Sequence, residues 1–580
     1  MSLRPRLAAL LVLFGVSTFA AAGCGSSSSG TSIDPASAVP ASAALYAGGV
    51  VRPEGSLQAA ARTAGQALTH QPDPYLRLLA ALQTPGSATL DFDHDIAPWL
   101  GPRAGVFISS GGAAGETAIA RMLTLVEQSL LGRAPEGGSF PFAARSLEGA
   151  ILLDTRDAAK AQAFVGAQAK RARAHNSSYR GVTYQAANGI AFGVIAQLVV
   201  IGTEPALRSV IDTTSAGALS LAHSPGYAQL QSVAPSNALA HLYANPGAVA
   251  EGTRSSHAQG PASALSLLAG QRLLNVSLVP SKTSFALDVD AAAPGADSAG
   301  SGGLLAASPE ASRALGELPG ESWLAVGLGD VGSTLRANAN ALQGLTSLGS
   351  LLTGSGTTTS NPSAGISVAG LIEGLLKPLT VLGADTAEAK RDFAGWMGAT
   401  GIFTTGSGLL ELHGGVVIDS NDPVASRAAV AKLGAKLRAG GGSVERVSIA
   451  GTDAAILAHL SGLPVELAIA DGRDATGHTK FVIGIGEQSI EAALRPSSTL
   501  SAAASYGTAS AALGSGIEPS VIVEFPTLLS LLEGVGLSED PSVAPFVPYL
   551  RSLTTLSGGG KSLGNGVERF RLVLGLAGGG

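Results

Sequence analysis

The sequence predicts an α+β protein made of two internally duplicated lobes, each a mainly antiparallel sheet with packed helices. Three observations lead there. The stretch from Asp91 through Trp99, Leu100 and Gly101 to Phe107 returns in shortened form from Asp392 through Trp396, Met397 and Gly398 to Phe403. Each copy is followed by the same series of short apolar strands and helices. With 580 residues, the chain also exceeds the roughly 250–300 at which a single hydrophobic core stops growing.

Taken in order, Ala43 to Val50 reads as a strand and Ser56 to His70 as a helix, both before the first tryptophan. Gly149 to Asp154 and Gly415 to Asp419 are matching strands ending in aspartate. Each precedes a helix rich in Ala and basic residues, Ala158 to Ala174 and Val424 to Arg438. Tyr179 to Tyr184 then answers Val444 to Ile449, Val199 to Glu204 answers Ile483 to Glu487, and Tyr227 answers Tyr506. The strand Ala238 to Ala244 answers Val521 to Phe525. The first half closes on the hairpin Leu273 to Val279 with Phe285 to Asp290, and the second on the strand Glu568 to Leu576.

The apolar run Gly189 to Gly202 is a buried hairpin rather than a membrane span, because the polar loop Asp471 to His478 splits its counterpart. The helix Ala118 to Leu131 is an insertion of the first half. The second half instead carries the Gly/Thr/Ser/Pro loop Gly354 to Ala364 and the apolar helix Ile366 to Leu376. Helices are expected on one side of each sheet. The lobes span 41–290 and 309–580, with the Gly/Ala/Ser linker 291–308 between them.

At the N-terminus, Arg4 and Arg6 precede the apolar run Leu7 to Phe19, and small residues lead into Cys24. Residues 1–23 read as a lipoprotein signal peptide and 24–40 as a flexible Ser/Gly-rich tether too polar and small to pack. Cys24 is then the lipidated first residue, placing the chain on the extracytoplasmic face of the cell membrane. It is the only cysteine, so no disulfide contributes to stability. Losing Arg4 and Arg6 takes the 36 basic residues to 34 against 42 acidic ones. That balance disfavours nucleic acid and offers no polybasic patch for anionic lipid.

The acidic run before Pro98-Trp99-Leu100-Gly101, the opening Val39-Pro40-Ala41-Ser42 before a strand, and the lipoprotein-type leader resemble the bacterial envelope family of the domain of unknown function 3352. The resemblance implies an envelope location across nearly the whole mature chain and carries over no catalytic residues. The second copy departs from the motif, with Gly395 for Pro98 and Met397 for Leu100.

Specific chemical motifs fail on inspection. Asp91-x-Asp93-x-Asp95 opens like a calcium loop, but Ile96 and Pro102 stand where Gly and Glu are needed. The shared carboxylate, Asp95 or Asp392, reads instead as a cap on the turn before the tryptophan, and Trp99, Gly101, Trp396 and Gly398 as a structural motif. Gly558-Gly559-Gly560-Lys561-Ser562 reads as a hairpin turn rather than a phosphate loop, since a strand follows it. Gly484-x-Gly486 lacks the third glycine, which is Ser489. No Gly-x-Ser-x-Gly, Ser-x-x-Lys or His-Glu-x-x-His is present. No cofactor or metal is expected. The reading that results is a lipid-anchored, non-catalytic binding or structural protein whose partner is a small molecule, a lipid or another envelope protein. The alternative is an extracytoplasmic hydrolase with its site at the lobe interface, for which the strand-end residues Asp154 and Asp419 are candidates.

Overall fold

The computed structural model describes residues 32–69, 92–109, 148–187, 189–245, 273–292, 308–333, 392–408, 411–459, 466–534, 536–539, 544 and 546–577. Cys24, Asp91, the Ala118 helix, the Gly354 loop and the Ile366 helix lie outside these residues.

Strands of the first half run at Ala43–Val50 (β1), Leu100–Ser109 (β2), Gly149–Thr155 (β3), His175–Tyr179 (β4), Val182–Ala187 (β5), Ile190–Ile195 (β6), Leu198–Gly202 (β7), Ala240–Ala244 (β8), Leu273–Pro280 (β9) and Ser284–Ala292 (β10). Those of the second run at Leu324–Asp330 (β11), Met397–Thr405 (β12), His413–Ser420 (β13), Ser443–Arg446 (β14), Thr452–His459 (β15), Leu467–Arg473 (β16), Thr479–Ile485 (β17), Glu518–Glu524 (β18), Leu553–Gly564 (β19) and Val567–Leu576 (β20). All pair antiparallel in one 20-stranded sheet. In space the first half reads β4-β5-β6-β7-β3-β2-β1-β8-β9-β10. From the opposite edge inward, the second reads β14-β15-β16-β17-β13-β12-β11-β18-β19-β20. The two series meet where β10 pairs with β20, nine residues against nine from Ser284↔Gly575 to Ala292↔Val567. Two isolated bridges, Pro40↔Ser220 and Pro319↔Thr499, occupy matching places.

Helices cover both faces of the sheet, which corrects the one-sided packing expected from sequence. Helices α1 (Gly55–Thr69) and α2 (Ala158–Ala172) lie on one face, where Ala61, Ala161 and Val165 join Trp99, Ile151, Leu153 and Val199. Helices α3 (Glu204–Ser215) and α4 (Pro225–Val233) cover the other, placing Leu207, Val210, Ile211 and Leu230 against Tyr46, Leu152 and Val200. Strand β3 is buried at all seven positions, so residues of both parities need a helical cover. Helices α5 (Pro309–Gly316), α6 (Pro423–Ala439), α7 (Gly486–Leu494) and α8 (Ala504–Leu513) do the same in the second half, α6 on one face and α5, α7 and α8 on the other. Two short helices, α9 (Phe525–Gly534) and α10 (Val547–Arg551), precede β19.

Three boundaries differ from the sequence expectation. Ala36, Ala38 and Val39 are fully buried in the core beneath α3 and α4, and Asp34 caps the turn Pro35–Ser37. The last residues of the expected tether are therefore folded, because small apolar side chains fit under the helices. The linker begins after Ala292, at the end of β10. The Gly558–Ser562 run lies inside β19, and the hairpin turns instead at Asn565-Gly566, both in the left-handed region at φ 52° and 73°.

The tryptophan motif has the same geometry twice. The Trp99 indole N–H donates to the Asp95 backbone carbonyl at 2.8 Å, and that of Trp396 to the Asp392 carbonyl at 3.0 Å. The contact uses the aspartate backbone; the Asp392 carboxylate faces Lys432 at 3.3 Å. Trp99 packs on Phe164 and Trp396 on Phe481, and both indoles are buried. Gly101 and Gly398 follow because the neighbouring strand is too close: a methyl at Gly101 would lie 2.5 Å from Asp154 Oδ2, and at Gly398 3.1 Å from the Asp419 carbonyl. Gly101→Ala is expected to cost about 2–3 kcal/mol and Gly398→Ala less than about 1.5 kcal/mol in urea unfolding. Equal costs would show that the closer contact relaxes freely.

Candidate functional site: a polar seam at the junction of the halves

Where the halves meet, alternation along the strands sets two polar residues of each on one sheet face. Asp288 and Asp290 on β10 stand opposite Arg571 and Arg569 on β20. The next strands continue both rows, Asp290 facing Asn275 and then Tyr243, Asp288 facing Ser277 and then His241. Both aspartates, Asn275 and Ser277 are fully buried.

The pairs are bidentate. Arg569 donates from Nε to Asp290 Oδ1 at 2.7 Å and from Nη2 to Oδ2 at 2.9 Å; Arg571 reaches Asp288 at 2.6 and 2.7 Å. Arg569 Nη1 also lies 3.3 Å from Asp288, linking the two pairs. Each guanidinium additionally closes a helix end. Arg569 donates to the Val233 carbonyl at the end of α4, and Arg571 to the Leu513 carbonyl at the end of α8. Burial pushes the Asp290 carboxyl upward against the pull of Arg569, while Arg571 is raised by its bonds to Asp288.

Farther along the seam, Gln231 donates to Asn275 and Asn275 to Ser277. The Tyr227 hydroxyl and His241 Nε2 lie 3.0 Å apart, and Tyr46 and Tyr243 pack edge-on against Tyr227. Burial pushes His241 down to about 4, so the imidazole is neutral near pH 7. At the other end, α8 and the turn after it border an open groove of about 700 Å3 lined by Tyr506, Ser510, Ser515, Gly516 and Glu518. Its volume suits a small molecule. Burial and the Glu518 carboxylate raise the Tyr506 phenol.

The strand-end aspartates from the sequence are separated in space and differently held. Asp154 is buried and accepts from Ser32 Oγ at 2.9 Å and the Ile33 N–H at 3.4 Å; burial raises its carboxyl. Asp419 meets the buried Lys480 ammonium, which also reaches Glu317 at 2.6 Å, and Arg313 at 2.7 Å. Burial alone would lower Lys480, but its carboxylate bonds reverse that and raise it. Among the described residues, no three His, Cys, Asp or Glu side chains stand close enough to hold a metal ion.

The second half has one polar chain that the sequence did not reveal. Ser420 Oγ donates to Ser426 Oγ at 2.8 Å, and Ser426 to the buried Asp471 Oδ2 at 2.6 Å. Among the described residues Asp471 Oδ1 accepts no hydrogen bond, with Arg427 Nε at 3.6 Å. By strand register and helix start, the same places in the first half hold Val194 and Ala161.

Against known proteins, the family model described as "Protein of unknown function (DUF3352)" matches residues 7–554. The chain belongs to this family. No curated protein matches it. Among solved structures, two crystal forms of a protein named TP0453 are similar at 11% and 12% identity and TM-scores of 0.24 and 0.23, covering 46% of this chain and 81% and 83% of theirs.

Two predictions follow from the buried charges. Arg569→Met should destabilise the protein by about 3–5 kcal/mol, since it leaves a buried carboxylate without its partner. Adding Asp290→Leu should restore part of that loss, and strictly additive costs in denaturant titrations would contradict the pairing. Burial raises the Asp471 carboxyl above its unfolded value, so its contribution is most favourable at low pH and declines as pH rises through the folded value. Ser426→Ala with Asp471→Val, the pair used by the first half, should therefore raise the melting temperature more at pH 8 than at pH 4. An equal or smaller gain at pH 8 would contradict this.

Proposed function

We propose that the mature chain is an extracytoplasmic lipoprotein, held to the cell membrane through Cys24, that acts by binding or bracing rather than by catalysis. Its two ten-strand halves are copies of one unit. The matching strand orders, the twin tryptophan geometry and the paired bridges support the duplication. The observation that carries the non-catalytic reading is the seam. At the interface between halves, where the hydrolase reading needs an open acid–base pair, both aspartates are fully buried and each is engaged by an arginine. Asp154 and Asp419 are likewise occupied, by Ser32 and by Lys480 with Arg313.

The groove beside α8 supports a small-molecule partner, with a phenol, small hydroxyls and the Glu518 carboxylate as its polar lining. Attachment is through the lipid on Cys24; no helix among the described residues is long and apolar enough to cross a membrane. The one observation favouring the hydrolase is the unequal polar decoration of the halves at Asp419, Lys480 and Asp471.

Cys24→Ala, expressed in the native host, tests the reading in two steps. The variant should leave the membrane fraction for the soluble one, and native mass spectrometry of the released chain should show a discrete bound mass. Retention in the membrane would remove the lipid anchor. A bare mass would remove the carrier form and leave the bracing role.

A further inference from the structure

The sheet ends in the first half on β4, whose outer side faces no described strand. Its hairpin with β5 turns through Arg180-Gly181, at φ 48° and 79°, so Tyr179↔Val182 is a hydrogen-bonded pair. Alternation then makes Ser177↔Tyr184 and His175↔Ala186 bonded pairs as well. It turns the backbone N–H and C=O of Asn176 and Ser178 outward, to the free edge.

Beside that edge α2 ends in Lys170 and Arg171, with Arg173 as its cap. All three are exposed, and none enters an ion pair among the described residues. In the second half Lys432 pairs with Asp392 and Lys436 lies over the Phe393 ring, leaving Arg438 as the one exposed cation in the last turn of α6 outside an ion pair among the described residues. Arg180 and Arg208 both lie over Tyr179, but each is already paired, with Asp212 or Glu204, so the unneutralised charge is that of Lys170, Arg171 and Arg173. In a chain of formal net charge −6 this is a local reversal of sign. The opposite sheet edge, β14, carries Glu445 and Arg446 in four residues, the charged pattern that blunts edge pairing. Strand β4, His175-Asn176-Ser177-Ser178-Tyr179, has no acidic or permanently cationic side chain.

We propose that the β4 edge receives an extended acidic segment of a partner protein by strand addition, with Lys170, Arg171 and Arg173 taking its carboxylates. Backbone hydrogen bonds from Asn176 and Ser178 supply the pairing and the cations supply the choice of partner. A second copy of this chain is the poorer occupant, because β4 against β4 across a two-fold would bring the two unpaired cationic clusters together. The inference deepens the binding reading by naming a partner class, and it is independent of the lipid anchor.

The test is fluorescence anisotropy with the full chain in detergent and a labelled eight-residue peptide of alternating valine and glutamate, beside one of valine and lysine. The glutamate peptide should bind, with affinity falling several-fold between 50 and 300 mM salt, and the lysine peptide should not. Ser178→Pro removes only an outward N–H, so it should leave the melting temperature near the parent value and weaken binding at least tenfold. Reversal of Lys170, Arg171 and Arg173 to Glu should do the same. Absence of binding, equal binding of both peptides, or undiminished binding by a folded Ser178→Pro variant would overturn the proposal. Loss of binding only in the charge-reversed variant would also overturn it, since the patch would then hold anions without adding a strand. Failure of any of these leaves Cys24 fractionation unaffected, so the two readings are separable.

Discussion

The pairing of β10 with β20 is the constraint on which the rest of the molecule depends, because it turns two ten-strand sheets into one. Edge strands left open would expose the outward backbone groups of alternate residues along a nine-residue stretch of each half. The Asp288–Arg571 and Asp290–Arg569 pairs fix the register of that contact. A slip of one residue would turn both aspartates to the opposite face, where Leu287 and Val289 belong, and would leave four charges unmatched. Burying these groups is costly in itself, and only bidentate geometry with the remaining donors satisfied makes it tolerable. Val233 and Leu513 complete that satisfaction by presenting carbonyls from the two helix ends. The same arginines thereby tie a helix of each half to the central strands.

Much of this was legible in the sequence. The repeated tryptophan motif takes the same geometry in both halves, and its glycines are explained by close approach to the neighbouring strand. Strand β1, helix α1, and the β6–β7 hairpin stand close to where periodicity put them. The face on which helices pack was not legible, because strands such as β3, with the unbroken apolar run Ala150 to Leu153, carry no alternation to distinguish one side from two. Nor was the role of residues 34–40, whose small apolar side chains resemble a linker until the helices above them are in place. The seam did leave a signal. Asp288-Val289-Asp290 and Arg569-Phe570-Arg571 are complementary charges at strand spacing in the closing strand of each half. Reading each half by itself concealed that they answer one another.

Comparison of the halves separates the features both share from those found in one. The indole-to-carbonyl bond and its glycine occur in both, so they belong to the fold. The Ser426–Asp471 pair occurs where the first half has Ala161 and Val194, so the fold does without it. The Tyr46–Tyr243–His241 group is the reverse case, since by register the second half holds Ala325, Ile522 and Ser520 there. The deeply set His241 imidazole of that group is neutral near pH 7 and adds an acid-sensitive contribution that the second half lacks at this place. Its folded value near 4 lies below the roughly 6.5 of an unfolded histidine, so stability is full above that range and falls as pH drops through it.

This division of labour bears on where a partner can act. The centre of the sheet is closed by its own charges, and a ligand seeking those arginines would have to displace carboxylates already bound at bidentate geometry. The free chemistry lies elsewhere, in the groove beside α8 and at the β4 edge. These differ in what they can select. The groove presents hydroxyls and a carboxylate around a phenol, the lining on which the small-molecule proposal rests. The edge presents backbone donors and acceptors flanked by cations, a surface for extended chain. The two proposed surfaces lie in different halves, the β4 edge in the first and the groove beside α8 in the second, on either side of the β10–β20 pairing.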